Sequence, residues 1–275
     1  MVAMVLGVSH ADAKGKRKKK KKKAPALKVS AENAKALSQL KGPFKFGMSK
    51  NRVLKILAKQ IREKYAEKIK ETDDVYQQDK LRRRQKKEIS RIKKSFVAFK
   101  GKKTGWDVSI IDDEFAHRTD ESMMVYWENV GGKDQRRFFF FYDGRLWKMF
   151  IALSDKMLKP SQREFSYFQT IMEKRYGMGK VHNEVKRGVE VPTHISWSTS
   201  KFRVRAIDKL QFYGNFCLSI ADPGTEDTLR ELRKSVAPVK KKNKIIEAVI
   251  SKDDAEDTPD LNDNKGALDG IIGTD

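Results

Sequence analysis

The run Phe138-Phe139-Phe140-Phe141-Tyr142-Asp143-Gly144-Arg145-Leu146-Trp147-Lys148-Met149-Phe150-Ile151 decides the fold. Asp-Gly between two apolar runs signals a two-residue hairpin, because both turn positions need positive φ and these residues tolerate it. An unbroken ladder running out from that turn pairs Tyr142 with Arg145, Phe141 with Leu146, Phe140 with Trp147, Phe139 with Lys148 and Phe138 with Met149. Side chains alternate along a strand, so one face carries Phe138, Phe140, Tyr142, Trp147, Met149 and Ile151. The other carries Phe139, Phe141, Leu146 and Phe150, with Arg137 and Lys148 among them. Aromatics on both faces describe a central strand covered from both sides. If one face is open, Phe139, Phe141, Leu146 and Phe150 form an aromatic patch edged by cations, which has the composition of a protein-binding surface.

Upstream, the alternation at Trp106, Val108 and Ile110 and the run 122–128 predict two earlier strands of an antiparallel meander. Two helices precede them. Ser49 is a good N-cap for a helix over 50–70, in which Val53, Leu57, Ile61, Tyr65 and Ile69 recur at four-residue spacing. Asp73 or Asp74 can cap a second helix over 75–98, with the thinner stripe Leu81, Ile89, Ile92 and Phe96, ended by Gly101. Residues 50–103 hold 20 Lys/Arg against 7 Asp/Glu, so part of this hairpin must stand in water. Arg82, Arg83, Arg84, Lys86 and Lys87 could track a polyanion backbone, or could simply form a solvated helix face. A weak helical pattern near 30–40 and an entry segment, Pro43 to Met48, come before.

Downstream, Ser161 and Glu164 have capping-box spacing. The helix they predict runs to Tyr176, with Phe165, Phe168, Met172 and Tyr176 inward and Gly177 ending it. Strands over 194–199, 201–207 and 215–221 follow, and Asp222-Pro223-Gly224 turns the chain into a short helix over 225–235. The fold class is therefore α+β: a basic helical hairpin packed on an antiparallel β-meander, followed by a helix and three more antiparallel strands, between disordered tails. The α+β body spans 44–235, as one unit or as two, 44–152 and 160–235, the second a diverged copy of the first.

The flanks differ in charge. Residues 14–23 read KGKRKKKKKK, and like-charge repulsion keeps such a basic segment, 14–43, unfolded. Residues 236–275 form a second tail, in which 252–275 hold 8 acids against 2 lysines and Ile245 to Ile250 make a short apolar island. The net charge of +23 is placed unevenly: residues 1–103 carry 33 Lys/Arg against 9 Asp/Glu, and residues 104–275 carry 27 against 28. Such a field attracts nucleic acid, anionic lipid or an acidic protein. Lys18, Lys19, Lys20, Lys21, Lys22 and Lys23 lack interleaved aromatics, which suits a non-specific tether to polyanions or anionic surfaces. Residues 1–13 read as a possible signal peptide: Val2 to Val8 are apolar, and Ala11 and Ala13 frame a small-x-small cleavage site. That implies a periplasmic or secreted protein; the alternative is a cytoplasmic one. No run approaches the ~20 apolar residues of a transmembrane helix.

Chemistry-bearing patterns are sparse. Cys217 is the only cysteine and stands in the apolar stretch Phe216-Cys217-Leu218, which reads as a small buried hydrophobe. No two of His10, His117, His182 and His194 have metal-ligand spacing, and Asp112-Asp113-Glu114 reads as a polar loop. Nucleophile-elbow and phosphate-loop patterns do not occur. The expectation is a protein with no catalytic residues, metal or cofactor.

Gly47-Met48-Ser49-Lys50-Asn51-Arg52-Val53-Leu54-Lys55-Ile56-Leu57 has the pattern G-M-[ST]-x-x-x-V-x-x-x-L. It resembles the helix start of BamE-like (SmpA/OmlA) envelope domains, whose fold is similar to each half of the β-lactamase-inhibitory protein. Phe140-Phe141-Tyr142-Asp143-Gly144-Arg145-Leu146 looks like the late strand and turn of that unit, so the resemblance covers 44–152. Ala58 stands where a glycine is usual, the second helix is longer and more basic, and no lipobox cysteine follows the N-terminal segment. The resemblance implies two helices before an antiparallel sheet, and an exported binding or scaffold domain of the bacterial envelope, without catalysis; a lipid anchor is not implied. Three readings therefore stand: an envelope protein that binds another protein and tethers to an anionic surface, a cytoplasmic non-specific nucleic-acid-binding protein using the lysine run and the basic hairpin, and an enzyme of an unrecognised kind.

Overall fold

The structure is a computed structural model and describes residues 29–130, 133–186 and 188–236. Ala11, Ala13, Lys18 to Lys23 and the acidic tail lie outside these residues. Among the described residues three helices come first, each with a capped N-terminus. In α1 (Ala31–Gln39) the Ser30 hydroxyl accepts from the Asn33 N–H, and in α2 (Lys50–Lys70) Ser49 accepts from Arg52. In α3 (Val75–Lys94) the Asp74 carboxylate accepts from Tyr76 and Gln77. A short β1 (Val97–Ala98) leads through two 3-10 turns into β2 (Glu121–Val130), β3 (Lys133–Tyr142) and β4 (Arg145–Ser154). Then come α4 (Phe165–Tyr176), β5 (Lys180–Lys186), β6 (Val189–Ser198), β7 (Arg203–Lys209), the single turn α5 (Leu210–Tyr213), β8 (Asn215–Ala221) and α6 (Pro223–Val236).

Among the described residues eight strands form one antiparallel sheet in the order β1-β2-β3-β4-β8-β7-β6-β5. Two meanders, β2-β3-β4 and β6-β7-β8, meet where β4 pairs with β8, Ile151 opposite Leu218. The fold is α+β, with the sheet as the middle layer. On one face Val53, Leu57 and Ile61 of α2, Ile92 of α3 and Phe165, Phe168, Met172 and Tyr176 of α4 form a single core with Phe139, Phe141, Met149 and Trp197. On the other, Phe99, Ile110, Ile111 and Phe115 of the 97–120 segment and Leu229 of α6 close over Phe138, Phe140, Trp147 and Phe150.

The Asp143-Gly144 turn forms as its residues demand, with φ of 47° and 69°, and pairs Tyr142 with Arg145 and Phe141 with Leu146. Beyond that, the expected register is wrong by one. A β-bulge puts both Trp147 and Lys148 against Phe140, so Phe139 pairs with Met149 and Phe138 with Phe150. The extra residue reverses the faces that follow. Met149 and Ile151 pack under the helices, and Phe150 packs on the opposite side. The gain is local: with Lys148 on the same face as Trp147, its ammonium lies 4.4 Å from the Trp147 and Phe140 ring centres, within reach of a buried acid.

Five other expectations need correction. The body starts before residue 44: residues 31–39, read as part of an unfolded basic segment, form α1, whose Leu37 is fully buried in the helix-side core. Trp106 and Val108 lie not in a strand but in a 3-10 turn (Gly105–Val108), because Thr104 and Asp107 close a capping box on each other's backbone. The second hairpin helix ends at Lys94 rather than near 98, where Ser95 caps it and the chain bends into β1. Ser161 caps nothing: Pro160 starts a separate 3-10 turn, and α4 begins after an extended Glu164. Finally, the second half has four strands, not three. The missed β5 has too few apolar residues to be legible, for a reason its edge position explains.

Candidate polyanion interface

One apolar stripe anchors α2, and α3 has a single fully buried residue, Ile92. The remaining faces of both helices are free to carry charge, and they carry 17 Lys/Arg against 4 Asp/Glu. Among the described residues only Lys59, Lys64 and Arg83 of these cations meet a carboxylate. Where the far half of the hairpin leaves the sheet, a cleft of about 510 Å³ opens between α2, α3 and β2. Lys64, Tyr65 and Lys68 of α2 form one wall, and Arg84, Lys87, Glu88 and Arg91 of α3 the other. Tyr126 and Trp127 of β2 close its end.

Glu88 ties the walls together. It accepts from the Tyr65 hydroxyl at 2.9 Å and from the Tyr126 hydroxyl at 3.3 Å, with Lys64 at 3.9 Å. Burial, reinforced by the Glu88 carboxylate, pushes the Tyr65 phenol up to about 12 and raises that of Tyr126 as well. Both therefore stay protonated donors at neutral pH, and the cleft keeps its shape. The Arg91 guanidinium lies 3.9 Å from the Trp127 ring centre, so a cation is stacked over the indole at the cleft's inner end. Along α3, Lys80, Arg84, Lys87 and Arg91 share one face. They join the cleft to a shallower hollow lined by Tyr76, Lys80, Arg83, Arg84 and Lys87. At ~1.5 Å rise per residue this cationic row is about 16 Å long, enough to span several backbone phosphates.

Of the cations expected to bind polyanions, Arg84 and Lys87 line both hollows and Arg83 lines the outer one, where Asp79 holds it at 2.8 Å. Arg82 and Lys86 are exposed but line neither; Arg82 donates to Gln78. The sequence reading missed Lys64, Lys68, Lys80, Arg91 and the three aromatics. The spacing 80, 84, 87, 91 was a usable signal, since it places four cations on one helical face. Nothing local could announce that Tyr126 and Trp127 would lie beside them.

The expected protein-binding patch is not a surface. Phe139, Phe141, Leu146 and Phe150 are all buried to within 1%, the first three beneath helices and Phe150 on the opposite face. Phe44 packs edge-on against Phe139 with ring centres 4.8 Å apart. The FFFF run is a central strand with both faces covered.

Several other titratable groups have structural partners. In the acidic turn, Asp112 and Asp113 are held by Lys209, whereas Glu114 points inward and is buried. There it accepts from Lys148 at 2.9 Å and from Arg205 at 3.1 Å. Burial alone would raise the Glu114 carboxyl, but Lys148 and Arg205 overcome that and hold it at about 2. His182 and His194, apart in sequence, stack across β5 and β6 with ring centres 4.2 Å apart. Burial first, then each other and Arg205, depress the His194 imidazole to about 4. Among the described residues no group of three or more His, Cys, Asp or Glu is placed to hold a metal ion. Cys217 is buried, which raises its thiol well above the usual range. No helix among the described residues is long and apolar enough to cross a membrane. No family model, no curated protein and no solved structure matches the chain.

Proposed function

We propose that this is a non-catalytic binding protein whose working surface is the α2–α3 hairpin, and that its ligand is a flexible phosphate-bearing polymer, a single-stranded nucleic acid. One observation carries the reading: the aromatic-ended cationic cleft, with Lys64 and Lys68 facing Arg84, Lys87 and Arg91 and the cation row running out of it along α3. Cations in a row suit a strand of phosphates, and an open groove with aromatic rings at its end admits unpaired bases more readily than a duplex. The lysine run at 18–23 adds a second, sequence-independent attraction to the same kind of ligand. Burial of Phe139, Phe141, Leu146 and Phe150 takes away one surface offered for protein binding.

Fluorescence anisotropy with a labelled single-stranded oligonucleotide tests this. Affinity falls steeply with salt, and Arg84→Glu/Lys87→Glu/Arg91→Glu flattens the salt slope by about 2, at ~0.7 for each phosphate no longer neutralised. Unchanged affinity in the folded triple variant refutes the hairpin as the binding surface. Export to the bacterial envelope is a separate proposal, supported by the apolar run at 2–8, the Ala11–Ala13 site and the resemblance over 44–152. The N-terminus of the mature protein decides it: a start at Lys14 in the periplasmic fraction supports export, and an intact Met1 in the cytoplasm excludes it.

A further inference from the structure

The two edges of the sheet are treated differently. At the β2 edge, β1 pairs with Ser122 and Met123. Just beyond, the Ser95 hydroxyl accepts from the Val125 N–H and donates to the Val125 carbonyl, both at 3.0 Å. At the other edge β5 is the last strand in the order, and no described residue pairs with its outer side. It has neither a proline nor a bulge of its own to discourage pairing, and its protection is limited to the charged residues Lys180, Glu184 and Lys186. The irregularity between His182 and Asn183 is absorbed on β6, where His194 and Pro192 are their partners and Thr193 is the extra residue. Val181 and Val185 are 41% and 66% exposed on one face of this strand, and Met178 just before it is 73% exposed. Such residues have high β propensity and little reason to stand in water.

We infer that β5 is a self-association edge, and that its partner is β5 of a second copy of this chain. About Asn183 residues 181–185 are self-complementary, whereas at the strand ends Lys180 of each copy falls opposite Lys186 of the other, a like-charge pair that weakens the association at low salt. In an antiparallel pair with its dyad there, Val181 of each copy lies opposite Val185 of the other on one face. On the opposite face His182 lies opposite Glu184. Side chains on one face of a sheet sit at residues of like parity, so this register keeps the faces of both copies aligned and joins two eight-stranded sheets into one. The contact is independent of the basic hairpin, because β5 and α3 belong to opposite ends of the strand order.

Light scattering on the full-length protein from about 5 to 200 μM reads the association directly, a range set by the modest area one strand pair buries. The expected mass rises toward twice the 31.7 kDa of the chain. Val185→Lys holds the protein at the monomer mass, while Val189→Lys, an equally exposed site one strand inward, leaves the dimer intact. Asn183→Cys tests the register. Residues on the dyad of an antiparallel pair stand ~4.5–5.5 Å apart at Cα, inside the range of a disulfide, so oxidation yields a covalent dimer on a non-reducing gel. The native Cys217 is buried and does not compete. A monomer mass throughout, a dimer that survives Val185→Lys, or a dimer that Asn183→Cys fails to cross-link overturns the proposal. Capture of a different protein's strand in place of a second copy, with the pure protein monomeric, does the same.

Discussion

Glu114→Gln removes one negative charge from a deeply buried ionic site and replaces one carboxylate oxygen with an NH2 group at nearly unchanged size. Lys148 is 1% exposed and Glu114 3%, so neither group can turn to water. Lys148 donates to the Glu114 carboxylate and to its backbone carbonyl, Arg205 adds a bond to the same carboxylate oxygen, and Arg233 donates to the carbonyl at 2.9 Å. In the folded protein the Glu114 carboxyl titrates at about 2 instead of 4.5, which corresponds to ~3 kcal/mol favouring the charged form. The glutamine takes away the counter-charge of Lys148, which burial already lowers to about 8, so the lysine must either stay a buried unpaired ammonium or give up its proton, at a typical cost of ~3–5 kcal/mol. That is a large part of the ~5–15 kcal/mol a domain of this kind has. Urea unfolding followed by tryptophan fluorescence at pH 7 should show a loss of this size. The pH dependence gives an independent reading. A depressed carboxyl pKa contributes stability that is complete above the unfolded value of 4.5 and is lost as pH falls towards about 2. The native protein should therefore lose about 3 kcal/mol more than the glutamine variant over that interval. Adding Lys148→Met should restore part of the deficit, since it removes the stranded charge. A Glu114→Gln protein within ~0.5 kcal/mol of the native one at pH 7 refutes the reasoning.

Three smaller tests address the fold. Phe139→Ala opens a cavity under α2 and should cost ~3–5 kcal/mol in chemical denaturation, whereas an exposed binding residue would cost almost nothing. Gly144→Ala places a Cβ at φ +69° and should cost ~1–2 kcal/mol, with Asn at the same position milder because it tolerates that conformation; equal stability of all three would remove the turn assignment. Cys217 should resist a thiol reagent in the native protein and react fully in denaturant, and rapid native labelling would contradict its burial in the sheet.

The elements that read clearly in the sequence are those whose cause is local. Ser49 and Asp74 cap helices because a side-chain oxygen two or three residues away satisfies an orphan N–H, and Asp143-Gly144 forms its turn because both residues accept positive φ. The inward stripe of α4 follows from helical spacing alone. What failed depends on distant chain. The bulge at Trp147 and Lys148 has no local signal; it places a lysine beside an acid 34 residues earlier and makes sense only with that acid in view. Glu114 looked like one member of an exposed acidic turn because Arg205, 91 residues away, is invisible to any window. β5 was missed because an edge strand beyond the helices does not need the alternation that marks a covered one. At the interface, the cations were legible as composition and in part as residues. The cleft required β2 to cross beside the hairpin and bring Tyr126 and Trp127 to Arg91.

If the α2–α3 cleft holds a single-stranded polyanion, the salt dependence of binding must change when its cations are removed. Oligonucleotide affinity should be measured at several salt concentrations for the native chain, for the Arg84→Glu/Lys87→Glu/Arg91→Glu protein, and for a control with the exposed, cleft-remote Lys55→Glu/Lys59→Glu pair. The account predicts a steep negative slope for the native chain, a slope shallower by about 2 with at least a tenfold weaker affinity for the cleft variant, and a smaller change for the control. A cleft variant that binds as tightly as the native chain, or a control that weakens as much as the cleft variant, contradicts it.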